Sequence, residues 1–352
     1  MQNNEGLGAL FLCKLLAVRV KICYNINEWC APFDNYVNQM NQDVTRLAES
    51  IGKVIVGKND TIIKLIAAML CEGHVLLEDV PGVGKTQLIT SLSRSIGGKF
   101  NRIQLTPDVM PSDIAGFTML DQNSGEFIYR DGAVMCNFLL ADEINRASPK
   151  VQSALLEAME ERQISLDGVT HKLPRPFLVM ATQNPVETYG TFHLPEAQMD
   201  RFFMKLSMGY PSEEEEMKIL ERTEKHNPIN NIEAPAMTID DVLRMQDEVR
   251  SVRVTEQVRQ YIVRLVNSTR NNRNTILGIS PRGSIALYKA AKALAYIYGR
   301  EYATPDDVKN MAAVVLAHRI ILSPQGKTAY GTNEAFVEKL LSETNVPSMS
   351  AK

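Results

Sequence analysis

The sequence predicts an α/β core followed by a small all-helical domain, and three features carry that prediction. Short apolar runs at Val75-Leu76-Leu77, Phe138-Leu139-Leu140 and Phe177-Leu178-Val179-Met180 each end in polar residues, as buried strands do. A glycine-rich turn, Gly82-Val83-Gly84, leads from the first run through Lys85-Thr86 into a helix opening at Gln87. Beyond residue 237 the apolar residues recur at helical spacing and capping signals replace strand signals.

Residues 1–40 read as an N-terminal extension. Gly8 to Cys23 is apolar but carries Lys14, Arg19 and Lys21, too short and too charged to span a membrane, and the opening Met1-Gln2-Asn3-Asn4-Glu5 lacks the positive start of a secretory signal. The extension is either an amphipathic anchor or docking helix, or a poorly ordered leader preceding a start near Met40; the second reading is preferred.

A core is expected over 41–210. Asp43–Lys53 and Lys58–Cys71 have helical spacing, and between them Val54-Ile55-Val56-Gly57 approaches the glycine turn, as plain core or as a surface for adenine. After the turn, Leu88, Ile89, Leu92 and Ile96 make a helix stripe closed by Gly97-Gly98, and Phe100–Leu105 alternates as a strand. Thr106–Met119 reads as loop. Phe117–Leu120 with Phe127–Tyr129, and Ile164–Leu166 with Val169-Thr170 across Asp167-Gly168, read as β-hairpins. Phe203–Met208 is the last core strand.

A connector is expected over 211–236, opening with a helix that Ser212 caps and whose first turn holds Glu213 to Glu216. The helical domain is expected over 237–330. Thr238 with Asp241 opens one helix, and Val258, Ile262, Leu265 and Val266 mark the next. Ser280-Pro281 starts a third with Ile285, Leu287, Ala290, Ala291 and Leu294 on its apolar side, and Thr304-Pro305 starts a fourth. Residues 331–352 read as a tail with a short helix over Ala335–Leu341.

The glycine turn carries the chemistry. Strand, glycine loop and helix in that order make a phosphate-binding loop, in which the turn from Pro81 to Gln87, through the backbone N–H groups that follow the proline, and the helix N-terminus hold a polyphosphate. Lys85 reaches its outer phosphates and the Thr86 hydroxyl takes Mg²⁺. The strict pattern would put glycine at 79, where this chain has Asp79. The strand Phe138–Ala141 then delivers Asp142 to the metal and Glu143 to the attacking water. Asn184 ends the next apolar strand and either positions that water or simply turns before Pro185. Arg201 is either a surface ion-pair residue or a finger reaching a neighbouring subunit's phosphate, a role worth about 10³–10⁵ in rate. Arg282 lies in the first turn of its helix, where it is either solvated or aimed back at the phosphates.

Composition sets outer bounds. The 352 residues are 45% hydrophobic with a net charge of −3, so no global basic footprint points to nucleic acid, and no nucleic-acid partner is expected. The five cysteines, at 13, 23, 30, 71 and 136, have no paired metal spacing, which fits a reduced cytoplasmic compartment.

Together these pieces resemble an AAA+ ATPase, and the wording resembles the MoxR family closely: LLEDVPGVGKT, ADEINRASPKVQSALLEAMEERQ, ATQNP, LPEAQMDRF and SPRGSIALYKAAKALA, spanning about 41 to about 325. The family shares EDVPG before GKT, so Asp79 is no departure from it. The resemblance implies a P-loop core, with a parallel sheet flanked by helices and two β-hairpin inserts, followed by a small all-α lid. It seats the Asn184 strand between the two Walker strands. It makes Lys85 and Thr86 Walker A, Asp142 and Glu143 Walker B, Asn184 sensor 1, Arg201 the arginine finger and Arg282 sensor 2, with Arg146 an alternative to Arg201. It further implies ATP/ADP and Mg²⁺, a homo-hexamer, chaperone-like work on a client that includes metal-cofactor insertion, and a von Willebrand factor A domain partner. A chelatase-type motor acting on a tetrapyrrole and an ATP-switched scaffold remain as alternatives.

Overall fold

The computed structural model describes residues 40–123, 125–184, 191–225 and 227–347. The expected extension up to residue 39, with Trp29 and its three cysteines, lies outside the described residues, as do Pro185 and the end of the expected tail.

Two helices lead in. Helix α1 (Gln42–Gly52) starts where the Asn41 side chain accepts the Asp43 N–H at 2.9 Å, and α2 (Asn59–Leu70) is buried along nearly its whole length. Strand β1 (Val75–Glu78) feeds the glycine turn and α3 (Lys85–Ile96), followed by β2 (Phe100–Gln104). Where loop was expected over Thr106–Met119, the chain makes a short helix, α4 (Pro111–Ala115), then β3 (Gly116–Leu120). Proline at the first helical position and the Asp113 carboxylate accepting the Met110 N–H at 2.8 Å nucleate that turn of helix.

Strand β4 (Phe127–Asp131) closes the first hairpin against β3, and β5 (Phe138–Asp142) is buried at every residue. Helix α5 (Pro149–Glu161), the second hairpin β6 (Gln163–Leu166) and β7 (Val169–Lys172), and strand β8 (Leu178–Gln183) follow. The two hairpins meet where the Tyr129 ring stacks on His171, centroids 3.9 Å apart. After α6 (Glu196–Met199), β9 (Met204–Leu206) completes a five-stranded sheet in the order β2-β5-β8-β1-β9, every pairing parallel.

This order places β8, and Asn184 at its end, between the strands carrying the glycine loop and the acidic pair, as expected. All five strands run the same way, so the ends of β1, β5 and β8 open onto one edge of the sheet, where parallel sheets build their sites. Beneath it Leu76, Leu139, Val179, Leu155 and Phe202 form a closed apolar core.

Helix α7 (Glu213–Lys225) begins as expected: Ser212 Oγ accepts the Glu215 N–H and the Glu215 carboxylate accepts the Ser212 N–H, with acidic residues filling the first turn. The helical domain is α8 (Ile239–Ser251), α9 (Glu256–Arg270), α10 (Pro281–Ile297), α11 (Pro305–Leu316), α12 (Pro324–Tyr330) and α13 (Asn333–Glu343). Thr238, Thr255, Ser280 and Thr304 each cap a helix. Two expectations are corrected here. Part of the expected tail is structural, because α13 buries Phe336, Val337 and Leu340 against the other lid helices. Ile285 is not on the apolar side of α10 but 56% exposed, since α10 buries the face carrying Ala286, Leu287, Ala290 and Ala291.

The lid is fastened to the core through polar groups. Arg319 donates to Asp200 Oδ1 at 2.7 Å and to the Phe203 carbonyl at 3.2 Å, and also reaches the carbonyls of Phe202 and Val315. The Ser280 hydroxyl takes the other Asp200 oxygen at 2.7 Å. Gln246 donates to the Met69 carbonyl at 2.9 Å. No helix among the described residues is long and apolar enough to cross a membrane.

Candidate functional site

The glycine loop is built by backbone conformation. Gly82 and Gly84 hold φ values of +86° and +93°, and nothing crowds a Cβ at Gly82, so the left-handed backbone is what requires glycine there. Helix α3 starts directly after Gly84, which leaves the free N–H groups of its first turn beside the loop. The Lys85 ammonium donates to the Asp79 carbonyl at 2.7 Å. Burial holds its pKa below the usual lysine range, against the opposing pull of Asp79, Asp142 and Glu143.

A cleft of about 510 Å³ opens over this loop. Pro81, Gly82, Val83, Gly84, Lys85, Thr86 and Gln87 line it, with Asp142, Glu143 and Asn184 from the neighbouring strands. Val54, Ile55 and Val56 supply an apolar wall, joined by Ile219 of α7 and Pro228. Gly57 is not part of the lining. It turns at a φ of +71° against the Glu215 side chain, so it shapes the approach without facing the cleft.

One hydroxyl organises the acidic pair. Thr182 Oγ1 donates to Asp142 Oδ1 at 3.2 Å and accepts the Glu143 N–H at 2.9 Å. Glu143 sits in the left-handed region at φ +58°, a strained conformation for a side-chain-bearing residue and one that recurs at functional sites. Arg102 on β2 donates to Asp142 Oδ2 at 2.8 Å, and Arg146 pairs with Glu143 at 3.2 Å. Thr86 and Asp142 bring hard oxygen donors to one cleft, the set that suits Mg²⁺ arriving with a phosphate chain.

Arg201 and Arg282 are not in this cleft. They meet in a second, smaller cleft of about 230 Å³, where both pair with Glu160: Arg201 with Oε2 at 3.1 Å and Arg282 with Oε1. Arg282, expected as one option to aim at the phosphates of its own chain, is carried away from them. Helix α10 is docked by Ser280 onto Asp200, next to Arg201, so its first turn faces the Arg201 side of the core.

Several residues of the site escaped the sequence reading. Thr182 is a lone hydroxyl in an apolar strand, two positions before Asn184, and that spacing could have marked it. Arg102 and Gln104 alternate on β2 and both line the cleft, a period-2 signal available once that strand was placed beside β5. Glu160 offered no signal, because its partners lie far along the chain.

Comparison with known proteins agrees with this geometry. The model of the ATPase family associated with various cellular activities (AAA) matches residues 74–204, and the AAA lid domain matches 267–340. The chain is 49% identical to the uncharacterized protein YeaC of Bacillus subtilis, over 89% of this chain and 97% of that one. It is 41% identical to the chaperone MoxR1 of Mycobacterium tuberculosis, over 86% of this chain and 81% of that one. A more distant similarity, 27% over 53% of this chain and 51% of the relative, is to a magnesium-chelatase subunit ChlI homolog of Methanocaldococcus jannaschii. A crystal structure of a Cytophaga hutchinsonii protein described as an ATPase superposes with a TM-score of 0.81 at 37% identity, covering 93% of this chain and 99% of that one. With the glycine loop, the acidic pair and the helical lid in place, the chain belongs to the MoxR family of AAA+ ATPases and hydrolyses ATP.

Proposed function

We propose that ATP binds with Mg²⁺ in the cleft over Gly82–Thr86, and that the chain works as a homo-hexameric ring whose Arg201 and Arg282 complete the next subunit's site. The observation that carries the ring is the displacement of both arginines from their own cleft onto the shared Glu160 carboxylate. Two guanidiniums sharing one carboxylate at a face away from their own cleft support the reading that this face meets a neighbour's phosphates. Arg146 pairs with Glu143, a residue of its own chain's cleft, whereas Arg201 pairs with Glu160 outside that cleft, which favours Arg201 as the residue acting across the interface.

Within the cleft, the loop N–H groups and Lys85 bind the phosphates, and Thr86 with Asp142 holds the ion. Held there, Mg²⁺ would supply neutralisation of the charge that develops on the transferred phosphoryl group. Glu143 takes the proton of the attacking water and Asn184 orients that water. Val54–Val56, Ile219 and Pro228 provide the apolar surface for the base.

Hydrolysis moves lid against core and drives chaperone-like remodelling of a client protein in the cytoplasm, with metal-cofactor insertion as one such task and a von Willebrand factor A domain protein as partner. The name of the mycobacterial relative, a chaperone, supports this class of work. The chelatase reading has weaker support, since that similarity covers about half the chain at lower identity.

The test is ATP hydrolysis with sedimentation for the wild type, Glu143→Gln and Arg201→Ala. Each variant should bind ATP and fail to hydrolyse it, and mixing the two should restore activity through interfaces that pair an intact Glu143 with an intact Arg201. Normal hydrolysis by monomeric Arg201→Ala would refute the shared site.

A further inference from the structure

We infer that Asp79 is a positioning residue for ATP hydrolysis, which clamps the phosphate loop to the chain leaving β9 and so carries nucleotide occupancy to α7. The inference rests on the assignment of ATP to the cleft over Gly82–Thr86.

Asp79 stands one residue beyond β1, at the position where the strict phosphate-loop pattern has glycine. It is 6% exposed, yet three donors converge on its carboxylate. Oδ1 accepts the Ser207 hydroxyl at 2.6 Å and the Gly209 N–H at 3.1 Å, while Oδ2 accepts the Met208 N–H at 2.6 Å. The β1–β9 ladder ends at Leu77 beside Leu206, so this side chain continues the pairing after the backbones have parted. A glycine could make none of these bonds. An asparagine has a single acceptor oxygen and would set its NH₂ group against an N–H donor.

The same residue touches the loop through its main chain, because Lys85 rests on the Asp79 carbonyl at 2.7 Å. A phosphate chain in the loop draws that ammonium away. The carboxylate meanwhile keeps Ser207, Met208 and Gly209 bound to the loop's entry strand. Met208, Gly209 and Pro211 line the cleft, and the chain turns at Gly209, φ +61°, into α7, whose Ile219 and Arg222 also line it. Arg222 in turn holds the carbonyls of Gly52 and Lys53 at the end of α1, at 3.1 and 2.9 Å. A change at Lys85 therefore has a polar route into the connector, and Asp79 is its first link.

The experiment combines steady-state ATP hydrolysis with hydrogen–deuterium exchange of residues 207–212, with and without a non-hydrolysable ATP analogue. It uses the full chain as wild type, Asp79→Gly, Asp79→Asn, Ser207→Ala and Lys85→Ala. Asp79→Gly should lower kcat at least about tenfold while moving KM for ATP less than about threefold, a split that marks lost positioning with binding kept. Exchange at 207–212 should be fast in that variant and should no longer respond to nucleotide. Asp79→Asn should recover part of both readouts, and Ser207→Ala, which keeps the carboxylate, should lie between Asp79→Asn and the wild type.

A wild-type kcat with an intact exchange response in Asp79→Gly would overturn the inference. So would exchange raised evenly through β1 and β9, which would give Asp79 a merely structural role. Should Asp79→Gly fail to fold, unchanged kcat and exchange in Asp79→Asn and Ser207→Ala overturn it equally. Lys85→Ala separates the two levels: wild-type ATP binding in that variant refutes the cleft assignment, whatever the Asp79 variants do.

Discussion

Replacing Thr182 by valine tests the catalytic pair without disturbing its packing. Valine keeps the shape and removes the hydroxyl, so the buried position 182 gains no cavity. Two bonds are lost. Asp142 loses a donor at 3.2 Å, and the Glu143 N–H loses its acceptor at 2.9 Å, leaving a backbone donor unpaired at a residue already held at φ +58°. Each loss costs about 1–3 kcal/mol, and because Asp142 keeps Arg102 as a second donor, about 3 kcal/mol of positioning, in the lower half of the summed range, is taken for the pair. At about 1.4 kcal/mol per decade, that corresponds to about a hundredfold in kcat. The assay is ATP turnover for the wild type, Thr182→Val and Thr182→Ser, with binding of a fluorescent ATP analogue and thermal unfolding measured beside it. Thr182→Val should bind nucleotide within about threefold of the wild type and lose turnover, because the loop that grips the phosphates is untouched. Thr182→Ser should recover most of the rate. Wild-type turnover in Thr182→Val, or serine no better than valine, would refute the role given to the hydroxyl.

Other outcomes follow from single groups. Burial depresses His74 to about 4, with Nε2–H donating to the Met159 carbonyl at 2.9 Å and Nδ1 accepting the Val179 N–H at 3.0 Å. The unfolded chain takes this proton near pH 6.5 and the folded chain only near 4. Stability is therefore complete above pH 6.5 and falls through that window by about 3 kcal/mol, measurable by urea unfolding at pH 7.5 and 4.5. His318 is lowered too, by burial and then by neighbouring Arg319, and acts in the same direction. Arg319→Met removes one side-chain donor to Asp200, which keeps Ser280, and the donor to the Phe203 carbonyl, and should cost about 3–5 kcal/mol, measured by urea unfolding. Gly73→Ala brings a Cβ to 2.4 Å from Phe203, and should lower the melting temperature by an amount equivalent to about 1–3 kcal/mol.

The strands of the core were legible because a buried parallel strand has to be apolar on both faces, as Phe138–Ala141 and Leu178–Ala181 are. The phosphate loop was legible because φ values near +90° leave little choice but glycine at 82 and 84. Helix α4 was hidden because a single turn has no periodicity, and its proline reads equally as loop. Ile285 was misplaced because an apolar residue at helical spacing was assigned to the core without knowing which face α10 turns inward. Arg282 could be numbered but not aimed. Its direction follows from Ser280 and Arg319 gripping Asp200, a contact between segments about 80 and 119 residues apart. Asp79 was visible only as the loss of a glycine; its three donors come from 128 to 130 residues downstream.

The grip on Asp200 limits how freely the two halves of this protein can be recombined. The core and the lid are matched by separate domain families, as exchangeable parts are. Yet the lid's Ser280 and Arg319 occupy both oxygens of a carboxylate whose next residue is Arg201. A transplanted lid lacking that serine and arginine would leave a core that folds but carries its arginine at the wrong angle. Hybrid proteins should therefore divide sharply by the residues they carry at positions 280 and 319, and the lid's ancestry has to be read together with residue 200 of the core.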